Sequence, residues 1–425
     1  MPRGVQIDTQ RITGNTPRID SAPAFVNPPH PRYGMHLMHI HPLIADSETL
    51  AQLCARLARS RFVAVDTEFM RENTYWPELC LVQIADEDEA AAIDPLAPGI
   101  DLAPLLSLMV ANEDVLKVVH AGGQDIEIVH NLTGKTPHPL FDTQIAAMAL
   151  GMGEQVGYSN LVESMTGVKL DKGARFTDWS RRPLDKRQID YAIGDVTHLV
   201  AIFPRMLQRL KKTGRGEWLD QEMERIADPA NYVNDPDLAW QRVKVSTRKA
   251  DVLGRLKAIA AFREREARRK NLPRGRLVKD ETIADLAMHP PKSQADLAKV
   301  RGLAPSWGGN DIGARLMGAI EGATPMADEE LPPREDRKPG LGKEGALVSD
   351  LLKLLLKVRS RDADVAPRLI CRTDELDLLA AGQRHGLTML QGWRYDVFGK
   401  DALALVEGRL AFTVKGGRMV MEEVA

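Results

Sequence analysis

The sequence predicts an α/β domain built on a mixed sheet with flanking helices, followed by two small all-helical units. Three observations predict it. Residues 61–94 hold three strand-like runs separated by polar punctuation, with no helical spacing between them. From Leu102 to Lys212, short β-rich runs alternate with stretches of helical period. Beyond Asp228-Pro229 and Asp235-Pro236 the strand signal fades and helical spacing takes over.

Residues 1–34 are rich in Pro, Asn, Thr and Arg and lack a sustained period, so they read as a disordered extension; Met35 or Met38 is an alternative start. The α/β domain is expected over 35–228. Ser47 reads as an N-cap ahead of Leu50, Leu53, Cys54 and Leu57 at helical spacing. Arg61–Phe69, Leu79–Ala85 and Ala90–Asp94 read as strands of a meander, and Leu102–Met109 as a helix. Val115–His120 is a further strand, turning through Gly122-Gly123 into a helix near Gln124. Asp142–Leu150 and Lys186–Lys212 read as helices, the second with a kink at Pro204. A first helical unit is expected over 236–322, a Pro- and charge-rich linker over 323–341, and a second unit over 342–425. The two units look duplicated: Trp307 and Trp393 are each followed at +6 by a glycine and at +14 by a glutamate.

Of the 425 residues 44% are hydrophobic and 27% charged, a globular balance that excludes disorder or a fibre as the overall class. The net charge is −2, so nucleic-acid binding must come from local basic clusters. The three cysteines are far apart, arguing against a disulfide framework or a cysteine zinc site. No apolar run approaches the ~18 residues of a membrane span, and no export signal is visible. A cytoplasmic protein with no membrane or protein partner is expected.

Asp66 and Glu68 stand two apart at the end of an apolar strand and so project from the same side. Like charges placed there repel and lose hydration unless cations compensate. Asp125 follows the glycine turn in the first turn of a helix, where a carboxylate suits the dipole. Tyr191 and Asp195 lie at i and i+4, on one helical face. Each pattern alone is common. Together, four hard oxygen donors without Cys or a His pair select Mg²⁺ or Mn²⁺. Two such ions held ~3.5–4 Å apart suit in-line displacement at phosphorus.

The order Asp-x-Glu, Asp, Tyr-x₃-Asp resembles the tyrosine branch of the DEDD family of 3′→5′ exonucleases, which have a ribonuclease-H-like fold. The chain is similar more narrowly to the bacterial ribonuclease D family, through Val65–Phe69, Thr74–Pro77, Leu81–Ile84, His120–Gly122, Phe141–Gln144, Thr177–Leu184 and Tyr191–Val196. The helical units resemble helicase-and-RNase-D C-terminal (HRDC) domains, the second divergently. The resemblance implies that Asp66, Glu68 and Asp195 hold the ion that activates water. It implies that Asp66 bridges to a second ion, which Asp125 reaches directly or through water, and that Tyr191 aims the water. It also implies a metal-dependent 3′–5′ exoribonuclease releasing 5′-mononucleotides and trimming structured RNA such as tRNA precursors with a 3′ tail. A proofreading-type DNA exonuclease and a non-catalytic nucleic-acid scaffold are the alternatives.

Other residues carry open readings. Asp142 reads as the N-cap of its helix, with a supporting position behind the acids as the alternative. His120 either contacts a terminal phosphate or fills a strand end; Gln83 lies near substrate or is a core-edge amide. Phe69 and Met70, with Tyr75 and Trp76, offer groups to stack on terminal bases, or for the latter pair to pack the meander turn. Eight basic residues between Arg263 and Lys279, among them Arg265, Arg269 and Arg276, are expected to hold the RNA body through phosphates. On that reading, cleavage of short strands needs neither helical unit.

Overall fold

The computed structural model describes residues 38–171, 173–174, 176–332 and 342–424. The extension expected over 1–34 and the stretch 333–341 of the expected linker lie outside the described residues.

The sheet begins with β1 (His39–Ile40), followed by α1 (Ser47–Leu57). Asp46, not Ser47, caps α1: its carboxylate accepts from Thr49 N at 2.8 Å. Asp46 is as good a cap as serine and comes one residue earlier, leaving the Ser47 hydroxyl to bridge Gly99 O and Asp101 N. β2 (Phe62–Met70), β3 (Glu78–Ala85) and β4 (Glu89–Ile93) form the antiparallel meander. Next come α2 (Ala103–Val110), β5 (Leu116–Val119), α3 (Gly123–Thr133), β6 (Leu140–Asp142) and α4 (Thr143–Ala149). β5 and β6 extend the sheet in parallel, giving the order β1-β4-β3-β2-β5-β6. α5 (Tyr158–Thr166) buries only Leu161 and Val162, too weak a period to be read in advance. α6 (Lys186–Thr213) starts at an Asp185–Gln188 capping box, contains Pro204, and is followed by α7 (Glu217–Ala227).

Strand alternation divides β2 between two cores. Val63 and Val65 join Leu53, Ile84, Leu105 and Ile126 under α1, α2 and α3. Phe62 and Ala64 face the other way, with Phe141, Leu199 and Phe203 of β6 and α6. The face that carries Asp66 and Glu68 is therefore the one α6 covers.

The first helical unit comprises α8 (Ala250–Lys270), α9 (Arg274–Leu277), α10 (Asp280–Met288) and α11 (Asp311–Glu321) around Leu253, Ile259, Ile283, Trp307 and Leu316. The second comprises α12 (Lys343–Ala363), α13 (Pro367–Ile370), α14 (Thr373–Ala380), α15 (Gly392–Arg394) and α16 (Lys400–Val406). α8 and α12 each run 21 residues and end in a left-handed residue, Asn271 or Asp364. The matched glycines have matched reasons. A Cβ on Gly313 would stand 1.7 Å from Trp307 O, and one on Gly399 2.3 Å from Met389 O. Two features depart from expectation. Residues 323–332, read as linker, lie along α8, with Met326 buried and its N–H on Ala250 O at 3.0 Å. The second unit ends in a hairpin of β7 (Leu410–Lys415) and β8 (Arg418–Glu423). Its core is continuous with that of the sheet, since Leu352, Ile370, Met389 and Phe398 join the cluster of Phe141 and Phe203. Among the described residues no helix is long and apolar enough to cross a membrane.

Candidate active site

β2 leaves the core at its C-terminal end, and there Asp66 and Glu68 stand on the face covered by α6. The strand register sets Asp66 opposite Gln83 and Glu68 opposite Leu81, with an irregularity between Glu68 and Phe69 as the chain leaves the sheet. α6 brings Asp195 across this face, so one carboxylate oxygen from each of Asp66, Glu68 and Asp195 lies within 4.8 Å of the others. Tyr191, one turn earlier, hydrogen-bonds Asp195, and its ring lies 6.2 Å from that of Trp179. The fourth acid, Asp125, lines the same cleft but is held by the Thr67 hydroxyl and stays outside the group of three.

The electrostatics follow from this crowding. Burial, then repulsion by Asp195, pushes Asp66 up to about 8. Burial, then the Asp66 charge, raises Asp125 well above the carboxylate range, opposed by the Thr67 hydrogen bond. The Tyr191 phenol is raised too, by burial and then by Asp195, Glu68 and Asp66. A phenol so raised stays protonated at neutral pH and is a donor, not a base. Three shielded carboxylates that resist sharing negative charge fit a hard divalent cation, which would relieve their repulsion with the oxygen donors such ions prefer. This acidic group could hold a metal ion.

Asp125 owes its place to a turn that Asp142 holds. Asp142 caps α4 through Gln144 N at 2.7 Å and also accepts from Ala121 N and Gly122 N, each at 3.0 Å. The cap reading is therefore correct, and the same carboxylate ties down the start of α3. Ala121 takes the left-handed conformation there (φ 55°), while Gly122 is needed for closeness: a Cβ would stand 2.5 Å from Val119 Cγ2.

The cleft occupies about 1340 Å³. Phe69, Met70 and His120 line it. His120 meets the Thr143 hydroxyl through Nδ1 at 3.0 Å, and burial lowers its pKa, opposed by the Asp142 charge and the Val156 backbone. Gln83 is a correction. It is fully buried, does not line the cleft and leaves both amide atoms without hydrogen-bond partners among the described residues, because its register opposite Asp66 puts it beneath α6. Tyr75 is likewise no base platform: its hydroxyl joins Glu264, Arg268 and Arg274 of the first helical unit.

The basic cluster is divided. Arg263 is buried on Asp280, and Arg268 and Arg274 converge on buried Glu264. Arg265 and Arg269 are exposed yet paired with Asp237 and Glu266; Arg276 is exposed and makes no ion pair among the described residues.

Three residues had no role assigned from sequence. Tyr158 of α5 donates to the carbonyls of Gly194 and Asp195, fixing α6 where it bears the acid, and its ring packs edge-on to His120 at 5.5 Å. Arg182 ties the segment before α6 to the sheet through Asp94 Oδ1 at 2.6 Å, Cys80 O at 2.6 Å and Trp179 O at 2.8 Å. Phe176 lines the cleft while 91% exposed. The signal for the last was available: an isolated aromatic in a polar loop beside a family-like stretch.

Residues 42–211 match the family described as 3′-5′ exonuclease, and 252–320 match the HRDC domain. Ribonuclease D of Sphingobium indicum is 72% identical over 384 residues, covering 90% of this chain and 99% of that protein. Ribonuclease D of Zymomonas mobilis is 65% identical, covering 90% and 98%. Among solved structures, Escherichia coli RNase D, described as an exoribonuclease involved in structured RNA processing, is 28% identical with a TM-score of 0.72. That likeness covers 87% of this chain and 99% of the other.

Proposed function

The chain belongs to the ribonuclease D family and is an exoribonuclease; from that premise we propose that it shortens structured RNA from the 3′ end by two-metal-ion hydrolysis, releasing 5′-mononucleotides. Precursor tRNA with a 3′ tail is the substrate class this reading favours, and the three buried free cysteines suit action in a reducing cytoplasm. We take 35–228 as the exonuclease unit, 236–322 as the first HRDC unit and 342–425 as a second, divergent one.

The observation that carries the proposal is the convergence of Asp66, Glu68 and Asp195 within 4.8 Å. Asp66, Glu68 and Asp195 would hold one Mg²⁺ or Mn²⁺, and Asp66 with Asp125 a second. Bound there, the cations supply a nucleophile from water near neutral pH and offset charge on the departing 3′ oxygen. The protein's own groups do the rest. Tyr191, protonated and anchored on Asp195, orients the attacking water, so Tyr191→Phe is expected to slow turnover more than it weakens binding; equal rates would remove that role. His120, whose ring lines the cleft, offers a hydrogen bond to the terminal nucleotide. Phe69, Met70 and Phe176 offer surfaces for unstacked terminal bases. Arg265, Arg269 and Arg276 present exposed cations to RNA entering from the first helical unit.

The test is label release from matched RNA and DNA strands, with Mg²⁺ and with EDTA. Mononucleotides from RNA that vanish with EDTA support the reading. Preference for DNA, or oligonucleotide products, would overturn it.

A further inference from the structure

The acids, the phenol and the terminal-base surfaces engage only the last nucleotides, which leaves open where the strand immediately upstream lies. α6 supplies an answer. At 100° per residue, Arg187, Tyr191, His198, Arg205, Arg209 and Lys212 fall on one face within roughly 60° of arc. The first three line the cleft. The last three continue the same line beyond it and are exposed. Tyr191 to Lys212 is ~31 Å of helix at 1.5 Å per residue.

α5 leaves the cleft in the same direction. Its first residues, Tyr158 to Asn160, line the site, and Met165, near its other end, meets Arg205 and Arg209. Arg205 Nη1 donates to Met165 O at 2.8 Å and Arg209 Nη1 contacts Met165 Sδ at 3.3 Å. Neither arginine, nor Lys212, makes an ion pair with a carboxylate among the described residues, whereas Arg265 and Arg269 of the first helical unit do. The one acid on α5, Glu163, is engaged by Lys169 at 3.7 Å.

We propose that this face of α6, with α5 beside it, is the track for the single-stranded RNA just upstream of the 3′ end, its phosphates held by Arg205, Arg209 and Lys212. The proposal rests on the exoribonuclease reading and adds to it the path of the strand. Stacked phosphates at ~3.4 Å would place at most about nine nucleotides along the track, and fewer if the strand is stretched. The contacts are to charge and carry no sequence preference.

The test is kcat/KM with Mg²⁺ on four- and twelve-nucleotide unstructured RNAs between 50 and 200 mM KCl, for the wild type and for Arg205→Gln/Arg209→Gln/Lys212→Gln. Three phosphate contacts contribute about 2 to the slope of log affinity against log salt. The wild type's loss on the longer strand over this fourfold salt change should thus exceed the variant's by about 16-fold, and the variant should lose the advantage of length. Arg205→Lys/Arg209→Lys should keep both, because charge rather than fork geometry is used; it also guards against a folding defect. A triple variant that retains the salt slope and the length advantage overturns the track. If the wild type degrades neither RNA, the exoribonuclease reading itself fails and takes the track with it.

Discussion

The two helical units share matched features, a 21-residue helix ending in a left-handed residue and a crowded glycine, yet grip the exonuclease domain in different ways. The first is held by a polar latch. Asn271 Oδ1 accepts from Tyr75 N at 3.0 Å, and the Tyr75 hydroxyl meets buried Glu264 with Arg274 alongside. The second is held chiefly by continuous apolar packing, with Trp393 stacked on Trp218 at 4.2 Å, and polar bonds from Ala366 N to Met148 O, Arg394 to Glu222 and Arg215 to Asp364 O add to it. A buried ionic network contributes little net stability but is costly to break on one side. An apolar core contributes stability outright. The second unit is therefore part of the sheet's own folding, while the first is a docked body joined close to the catalytic strand. If the shared core matters in this way, short-strand cleavage is expected to survive loss of the first unit and to suffer from loss of the second.

The largest expected effect lies in the shared core. Phe398→Ala, far in sequence from the acids, should cost about 3–5 kcal/mol and lower the unfolding midpoint of the exonuclease domain itself. Denaturant melts followed by both fluorescence and RNA cleavage check this; cleavage that survives beyond the fluorescence transition would show the two cores to be independent. Glu264→Gln should cost less, about 1–3 kcal/mol, and should loosen only the first unit. Limited proteolysis is then expected to cut between 228 and 249 while the sheet's midpoint stays put. A lowered sheet midpoint would place the latch in the common core.

The smallest effects are those of pH, and the site and latch should respond with opposite sign. Burial alone would raise Glu264, but hydrogen bonds from Arg274 and Tyr75 bring it below its usual value. A depressed carboxyl gives stability above its unfolded value of about 4.3, lost as pH falls through the folded one, so docking of the first unit weakens in acid. Asp66 is raised to about 8, so folding favours its protonated form. That contribution is full below about 4 and is lost as pH rises toward 8, so the metal-free melting temperature should fall over that range. Added Mg²⁺ should offset the fall most near pH 8, where it no longer competes with the proton. Melting curves with EDTA and with Mg²⁺ at pH 5–9 test both signs.

Much of the site was legible because its spacing is set by local geometry: i, i+2 in a strand for Asp66 and Glu68, i, i+4 in a helix for Tyr191 and Asp195. The meander was legible from its turns. What escaped depends on long-range packing. Gln83 differs little from Asp66 as a polar strand residue, and only the register under α6 buries it. Tyr75 and Glu264 lie 189 positions apart, and no local pattern links them. Tyr158 was missed with α5 itself, whose buried side is two residues wide. The terminal hairpin hid behind helical neighbours, with strands whose side chains are only partly buried.

The most direct measurement compares RNA cleavage and RNA binding by the wild type and Asp66→Asn in Mg²⁺. The carboxylate group predicts that Asp66→Asn still binds RNA but loses more activity than the roughly 10–100-fold typical of disturbing an outer partner of a metal ligand. Cleavage within a few-fold of wild type would contradict it.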